Sequence, residues 1–308
     1  MVLTCIDLFA GLGGFSEGAR QAGARVLWAA NHWKLAVDLH ATNHPDTAHA
    51  CQDLQQADFG AVPDHDLLLA SPCCQGHTNA RGKERPGADL SRATAWAVLA
   101  AAEAKRPRAL LVENVREFAA WELYPIWRMG LERLGYTLTE AVVNAADLGV
   151  PQDRERLIVM GTLGRRAIEV QQPSAAHVPV SAVLDFGAGK WSAVEKPGRA
   201  EATLRRVENA RRTFGAMFVM PYYKSGSGLT GRSMHRPLGT VTCKDRWALV
   251  DGDRMRMLTV DEYRAAMGFP DGYALPPTRH DAIKALGNAV CPAVSRWAVN
   301  TVREHLGA

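Results

Sequence analysis

The chain has 308 residues, 47% of them hydrophobic and 22% charged, with a formal net charge of +4. That is enough apolar material for one large folded domain with a satellite, or for two modest domains, and it excludes an extended disordered chain. No apolar stretch approaches 18 residues and no charged leader precedes the first apolar run, so neither a membrane span nor a signal peptide is predicted.

Short apolar runs alternate with helical patterns through residue 161. Strands are predicted over residues 3–8, 26–30, 67–70, 110–112, 136–143 and 157–161, with helices near 14–22, 35–42, 92–105 and 124–134. Near-continuous apolar strands separated by helices indicate an α/β fold with a doubly wound, mostly parallel sheet. Ligands of such sheets sit beyond the carboxyl ends of the strands. After residue 161 the pattern becomes richer in Arg, Pro and Gly, with a helix over 201–213 and short strands around 218–222 and 240–243. Helical patterns return over 258–267 and 292–305. The expected division is a catalytic and cofactor-binding domain over 1–164, a smaller irregular module over 165–252, and a return segment over 253–308.

Charge follows this division. Residues 165–256 hold 16 Lys and Arg against 8 Asp and Glu, a balance of +8 that leaves the remainder at −4. A basic segment beside an acidic remainder favours a polyanionic partner, although a solvated basic face explains it equally well. The six cysteines, Cys5, Cys51, Cys73, Cys74, Cys243 and Cys291, contain no Cys-x-x-Cys pair, which argues against a zinc site and a disulfide framework. A reduced, cytoplasmic protein without metal is the expectation.

The chemistry concentrates at predicted strand tips. Residues 71–78 read Ser-Pro-Cys-Cys-Gln-Gly-His-Thr after one apolar run, and a second run ends in Glu113-Asn114-Val115, thirty-nine residues past Cys74. A thiol and a carboxyl at neighbouring tips offer a nucleophile and a proton donor to one planar substrate. A thiol can add to an electron-poor ring carbon and later leave, which suits alkylation at cytosine C5. The first strand runs into Asp7-Leu8-Phe9-Ala10-Gly11-Leu12-Gly13-Gly14-Phe15, whose glycines allow close backbone approach to a ligand or simply make a tight turn. Asn31-His32-Trp33 and Cys51-Gln52-Asp53-Leu54 put a ring and a carboxylate at successive tips, which suits an adenosine; each alone reads as packing plus a turn. In Gln152-Asp153-Arg154-Glu155-Arg156 the two arginines share one face of an extended segment. They suit a phosphate or a pyrimidine carbonyl, with a surface ion-pair ladder through Glu155 as the alternative.

Taken in order with Gly287-Asn288-Ala289-Val290, these motifs closely resemble the DNA (cytosine-5) methyltransferases of bacterial and phage type, over residues 7–290. The resemblance implies a class I methyltransferase fold, a methyl group taken from S-adenosylmethionine, and a target cytosine flipped out of double-stranded DNA. It makes Cys74 the nucleophile, because Gln75 follows it, and Glu113, supported by Asn114, the contact to cytosine N3 and the exocyclic amine. Arg156 faces the cytosine O2, and Arg154 and Gln152 shape the same floor. Asp7, Phe9, Ala10, Gly11, Gly13, Gly14 and Phe15 form the cofactor loop. Trp33 stacks on adenine, Asp53 and Leu54 meet its edge, and Pro72, Asn288 and Ala289 complete the cofactor site. DNA contacts are expected from Arg81, Lys83, Arg85 and Arg92, from Gln152, and from Lys224 and Arg232 in the 165–252 module, whose Arg205, Arg206, Arg211 and Arg212 helix is expected to hold phosphates.

Three positions depart from the family pattern. Cys73 stands where the family has proline, His77 where an aromatic is usual, and His32 where a glutamate meets the ribose hydroxyls. The last, with Lys34 nearby, opens the alternative of an anionic cofactor such as carboxy-S-adenosylmethionine. A tRNA cytosine methyltransferase on the same scaffold is a second alternative, although its usual Cys-Phe-Thr after Glu-Asn-Val is missing. A non-catalytic homologue would not need Cys74, Glu113 and Arg156 together, and a nicotinamide oxidoreductase would explain only the glycine turn. A monomer is expected.

Overall fold

The structure, a computed structural model, describes residues 2–73, 88–222 and 230–307. The chain divides into two compact units. The larger comprises Met1–Asn144, Glu155–Ser174 and Ala289–Ala308, and the smaller Ala145–Arg154 and Ala175–Asn288. The return to the larger unit thus begins at Ala289 instead of residue 253, and residues 145–154 belong to the smaller unit.

The larger unit follows β1 (Thr4–Leu8), α1 (Gly14–Gln21), β2 (Arg25–Asn31), α2 (Lys34–Asn43), β3 (Ala48–Cys51), β4 (Leu67–Ala70), α3 (Ala88–Lys105), β5 (Ala109–Asn114), α4 (Tyr124–Arg133), β6 (Tyr136–Asn144) and β7 (Glu155–Leu163). Its sheet runs β3-β2-β1-β4-β5-β7-β6. The sheet is parallel through β5, and β7 lies antiparallel to both β5 and β6. Strands β4 and β5 are buried throughout, because helices cover both sheet faces and a one-sided polar alternation is ruled out. Leu67, Leu68 and Leu69 are each 0% exposed, and burying each contributes about 1.5–3 kcal/mol. The alanine-rich α3 presents Ala95, Val98, Ala101 and Ala102 to the core, and Trp127 of α4 fills the space beside them while donating to the Ala95 carbonyl at 2.9 Å. Proline in its first turn opens α4, and Gly135 at φ 94° closes it.

In the smaller unit come β8 (Ser192–Ala193), α5 (Glu201–Phe214), β9 (Met217–Pro221), β10 (Arg232–Ser233), β11 (Trp247–Asp251), β12 (Arg254–Met257), α6 (Val260–Ala266) and α7 (Arg279–Asn288). The strands form an antiparallel sheet in the order β10-β9-β11-β12-β8, so this module is more regular than its composition suggests. Phe218, Met220, Ala248, Val250 and Met255 form its core with Val207 and Ala210 of α5. Residues 240–243 are not a strand. Their backbone is satisfied by side chains instead, with Val241 N–H donating to Gln152 Oε1 at 2.8 Å and its carbonyl accepting from Arg154 at 2.9 Å.

The last helix, α8 (Pro292–Leu306), packs on α1 in the larger unit. Gly18 makes that crossing close. A Cβ there would fall against the Pro292 carbonyl and Ser295 Cβ, with Ser295 Oγ only 2.6 Å away.

Candidate active site

The cofactor loop begins where β1 ends. Phe9 has φ 61°, a left-handed conformation rare outside glycine, followed by Gly11 at 54° and Gly13 at 92°. Gly13 is the N-cap of α1, and Asp7 reaches the helix from below: its Oδ2 accepts from Ser16 N–H at 3.1 Å and Ser16 Oγ at 2.7 Å. Asp7 is fully buried, and that desolvation pushes its carboxyl up to about 7 against the two Ser16 bonds, which favour the ionised form. Its other oxygen has no hydrogen-bond partner among the described residues. Ala10 is 8% exposed and Gly14 buried; Phe15 is 1% exposed, so its ring packs α1 and presents almost no surface to a ligand.

Behind this loop lies a polar chain that sequence reading did not anticipate. Ser16 Oγ donates to Asp7, so it accepts from His40 Nε2 at 3.0 Å, which leaves His40 Nδ1 to accept from His49 Nε2 at 2.8 Å. Burial pushes His40 down to about 2, with His44 and His49 adding to the shift, and pushes the neighbouring His44 down to about 4.

At the next tips Trp33 is half-buried and its N–H donates to Asn31 Oδ1 at 2.9 Å. His32 is exposed, while Lys34 is held by Asp38 at 2.5 Å. Asp53 Oδ1 accepts from Gln55 N–H at 3.0 Å, and Leu54 is buried at 2% exposure.

Glu113 and Arg156 come together. Glu113 on β5 pairs with Ile158 across the antiparallel β5/β7 ladder. Arg156 lies two residues from that position, on the same face, and diagonal neighbours in a sheet are within reach of long side chains. Its Nε lies 2.9 Å from Glu113 Oε1, with side chains only 13% and 9% exposed. Glu155 points away and pairs with Arg116 at 2.7 Å, so the ion-pair ladder alternative for Arg156 does not form. Asn114, 1% exposed, donates from Nδ2 to the Pro72 carbonyl at 3.0 Å. That bond fastens the exit of β4 to the tip of β5.

Three expectations need correction. Gln152 was expected at DNA, but it is 0% exposed, and its amide donates to the Ala266 carbonyl at 3.0 Å and accepts from Val241 N–H. Arg154, 2% exposed, donates to the carbonyls of Val241 and Gly287 inside the smaller unit, which makes it a scaffold residue instead of a floor for the base. For the α5 arginines the correction is partial: Arg206 is held by the Pro221 and Tyr222 carbonyls and Arg211 by Gly252 and Asp253, while Arg205 and Arg212 pair only with Glu201 and Glu208 on the helix surface and stay 70% exposed. Arg232 bonds Asp153, and Arg92 is half-exposed in the first turns of α3. Asn288, exposed at the end of α7, accepts from the Cys243 thiol at 2.8 Å, and Ala289 is buried. Cys74, Gln75, His77, Arg81, Lys83, Arg85 and Lys224 lie outside the described residues. Among the described residues no cluster of three or more His, Cys, Asp or Glu could hold a metal ion, and no helix is long and apolar enough to cross a membrane.

A sheet in this order with β7 inverted, carrying a glycine loop after β1 and a carboxyl at the tip of β5, is the architecture of the class I methyltransferases. The Dnmt2 methyltransferase of S. pombe has the same fold, with TM-score 0.70, 18% identity and coverage of 100% of both chains. The family description of C-5 cytosine-specific DNA methylase matches residues 3–186 and 190–303, so the chain belongs to that family and is a DNA cytosine-5 methyltransferase. Similar relatives include the Type II methyltransferase M.NlaX of Neisseria lactamica, 29% identical over 98% of this chain and 97% of the relative. Another is M.HaeII of Haemophilus aegyptius, 27% identical over 94% and 90%.

Proposed function

We propose that the protein methylates C5 of a flipped-out cytosine in duplex DNA through a covalent Cys74 adduct, with S-adenosylmethionine as methyl donor. The observation that carries this reading is the Glu113–Arg156 pair at 2.9 Å, next to a β4 exit that Asn114 ties to the same strand end. The cofactor loop fits an adenosylated sulfonium: left-handed Phe9, Gly11 and Gly13 open the backbone, Trp33 offers an indole face, and buried Asp7 keeps one oxygen without a partner among the described residues. When bound, S-adenosylmethionine supplies an electrophilic methyl group.

Cytosine C5 is too weak a nucleophile to take that methyl directly. Cys74 Sγ forms a bond to C6, and the ring electrons move towards C5 as Glu113 holds a proton at N3. Arg156, already anchored to Glu113, donates to O2 and stabilises the charge that builds on the ring. C5 then bonds to the methyl carbon as that carbon's bond to the donor sulfur breaks, its electron pair staying on the sulfur. A base removes the C5 proton, the Sγ–C6 bond breaks, and aromaticity returns with the thiolate released. Extrusion of the base from the stack is what makes C6 reachable. Loops of the 165–252 module read the DNA sequence.

Duplex DNA with 5-fluorocytosine at every cytosine tests the reading, because fluorine cannot leave as the C5 proton does. Wild-type protein should form a denaturation-resistant adduct that Cys74→Ser lacks, while Cys73→Ala still forms it. Adduct formation by Cys74→Ser would refute the assignment. Nucleoside mass spectrometry with S-adenosylmethionine and carboxy-S-adenosylmethionine together should give 5-methylcytosine alone, since the Lys34 charge is paired with Asp38.

A further inference from the structure

The backbone leaving β4 is fixed at three consecutive residues. Ser71 N–H donates to the Leu8 carbonyl at 3.1 Å, the Pro72 carbonyl accepts from Asn114 at 3.0 Å, and Cys73 N–H donates to Thr94 Oγ1 at 3.0 Å. These partners come from β1, β5 and α3. The first two bonds need nothing special at residue 73. The third requires an N–H there, which proline lacks, and proline is what the family pattern carries at this position.

Thr94 is arranged to accept that bond. Its own hydroxyl proton is spent on the Ser91 carbonyl at 2.7 Å, one helical turn back. The oxygen therefore turns its lone pairs outward, and rotation of the hydroxyl into a competing donor role would forfeit the Ser91 bond. Replacing proline with cysteine frees φ at residue 73 and adds chain entropy immediately before the nucleophile. The Thr94 bond takes back some of that freedom.

We propose that Thr94 is a positioning residue for the methyl-transfer reaction: its hydroxyl holds the Cys73 amide and so fixes the backbone that delivers Cys74, in place of the proline ring. The inference rests on Cys74 being the nucleophile. A misplaced nucleophile slows bond formation without weakening substrate binding, so the effect belongs in the adduct-forming rate and not in affinity.

The experiment measures the single-turnover rate of adduct formation on 5-fluorocytosine duplex DNA at saturating S-adenosylmethionine, with DNA affinity measured separately. Thr94→Val, which keeps the shape and removes the acceptor, should slow the adduct about 5- to 10-fold, the equivalent of one neutral hydrogen bond, with DNA Kd unchanged. Thr94→Ser should restore the rate. In a Cys73→Ala background, which keeps the N–H, Thr94→Val should cost the same factor; in a Cys73→Pro background it should cost nothing, because the bond is already gone. An equal Thr94→Val effect in the Cys73→Pro and wild-type backgrounds overturns the proposal, as does an unchanged rate with only Tm lowered. If Cys73→Pro fails to fold by circular dichroism, the valine and serine variants decide, and equal rates for those two overturn it. Failure of wild-type protein to form any adduct would instead strike the Cys74 reading itself.

Discussion

Gly18→Ala separates two opposed effects at the α1/α8 crossing. On helix propensity alone, alanine in place of a mid-helix glycine stabilises by about 1 kcal/mol. Packing predicts the reverse. The new methyl would meet the Pro292 carbonyl, a backbone atom that no rotamer change can move, and Ser295, whose Oγ donates to the Phe15 carbonyl at 2.6 Å. Overpacking costs about 1–3 kcal/mol, and loss of the Ser295 bond adds about 1 kcal/mol. The net expectation is a destabilisation of about 1–3 kcal/mol, or a fall in Tm of roughly 2–10 °C. Because Gly13 caps α1 and the helix carries Ser16 to Asp7, separation of the helices also disturbs the cofactor loop. Calorimetry should therefore show weaker S-adenosylmethionine binding alongside the lower Tm. A Tm that stays level or rises, with cofactor affinity intact, would refute the packing argument and leave propensity in charge.

Glu113→Gln removes the proton donor for N3 while keeping the side chain's shape, and should lower kcat by about 10²-fold or more with DNA binding retained; a rate within threefold of wild type contradicts the role given to Glu113. In the smaller unit, Arg256 and Glu262 form a buried ion pair, 0% and 3% exposed, in which Glu262 also closes the capping box of α6 with Thr259. Glu262→Ala leaves the Arg256 guanidinium buried without its counter-charge and should cost about 3–5 kcal/mol in chemical denaturation; a loss below 1 kcal/mol would show that water reaches the pair. Stability should fall with acid between about pH 6.5 and 4.5, because the unfolded chain protonates His40 and His44 there and the folded one does not. Asp7, raised to about 7, binds its proton first in the folded state and opposes this slope. Asp7→Asn should therefore steepen the acid loss by about one proton, and an unchanged slope in urea titrations across this range would contradict the burial assigned to Asp7.

Much of the larger unit was legible because its strands are uninterrupted apolar runs and its chemistry falls at their ends. The short edge strand β3 was not, since Ala48–Cys51 carries neither a β-branched nor a long apolar side chain. In the smaller unit β11 and β12 were missed, although the Asp251-Gly252 step between apolar residues is a hairpin signal, and Gly252 does take φ 56°. α7 was also missed, although Thr278 and Asp281 cap its start. At the site, residue types were readable but burial was not. Gln152, Arg154 and Arg206 look like contacts for a nucleic acid because they are polar and regularly placed; packing turns each of them towards its own backbone. The Ser16–His40–His49 chain and the Thr94 hydroxyl depend on approaches between distant segments that no local pattern encodes.

The stretch from Gln152 to Arg156 passes from the smaller unit to the larger after Arg154. Positions 152 and 154 bond inside the smaller unit, and 156 meets Glu113 in the larger. Because β7 begins at Glu155 and a strand alternates its faces residue by residue, a single insertion or deletion at its start would send Arg156's neighbour to Glu113. Substitutions in this stretch should produce graded losses, each confined to one unit. A change of one residue in its length should ruin both units at once, so its spacing is under tighter constraint than any of its individual letters.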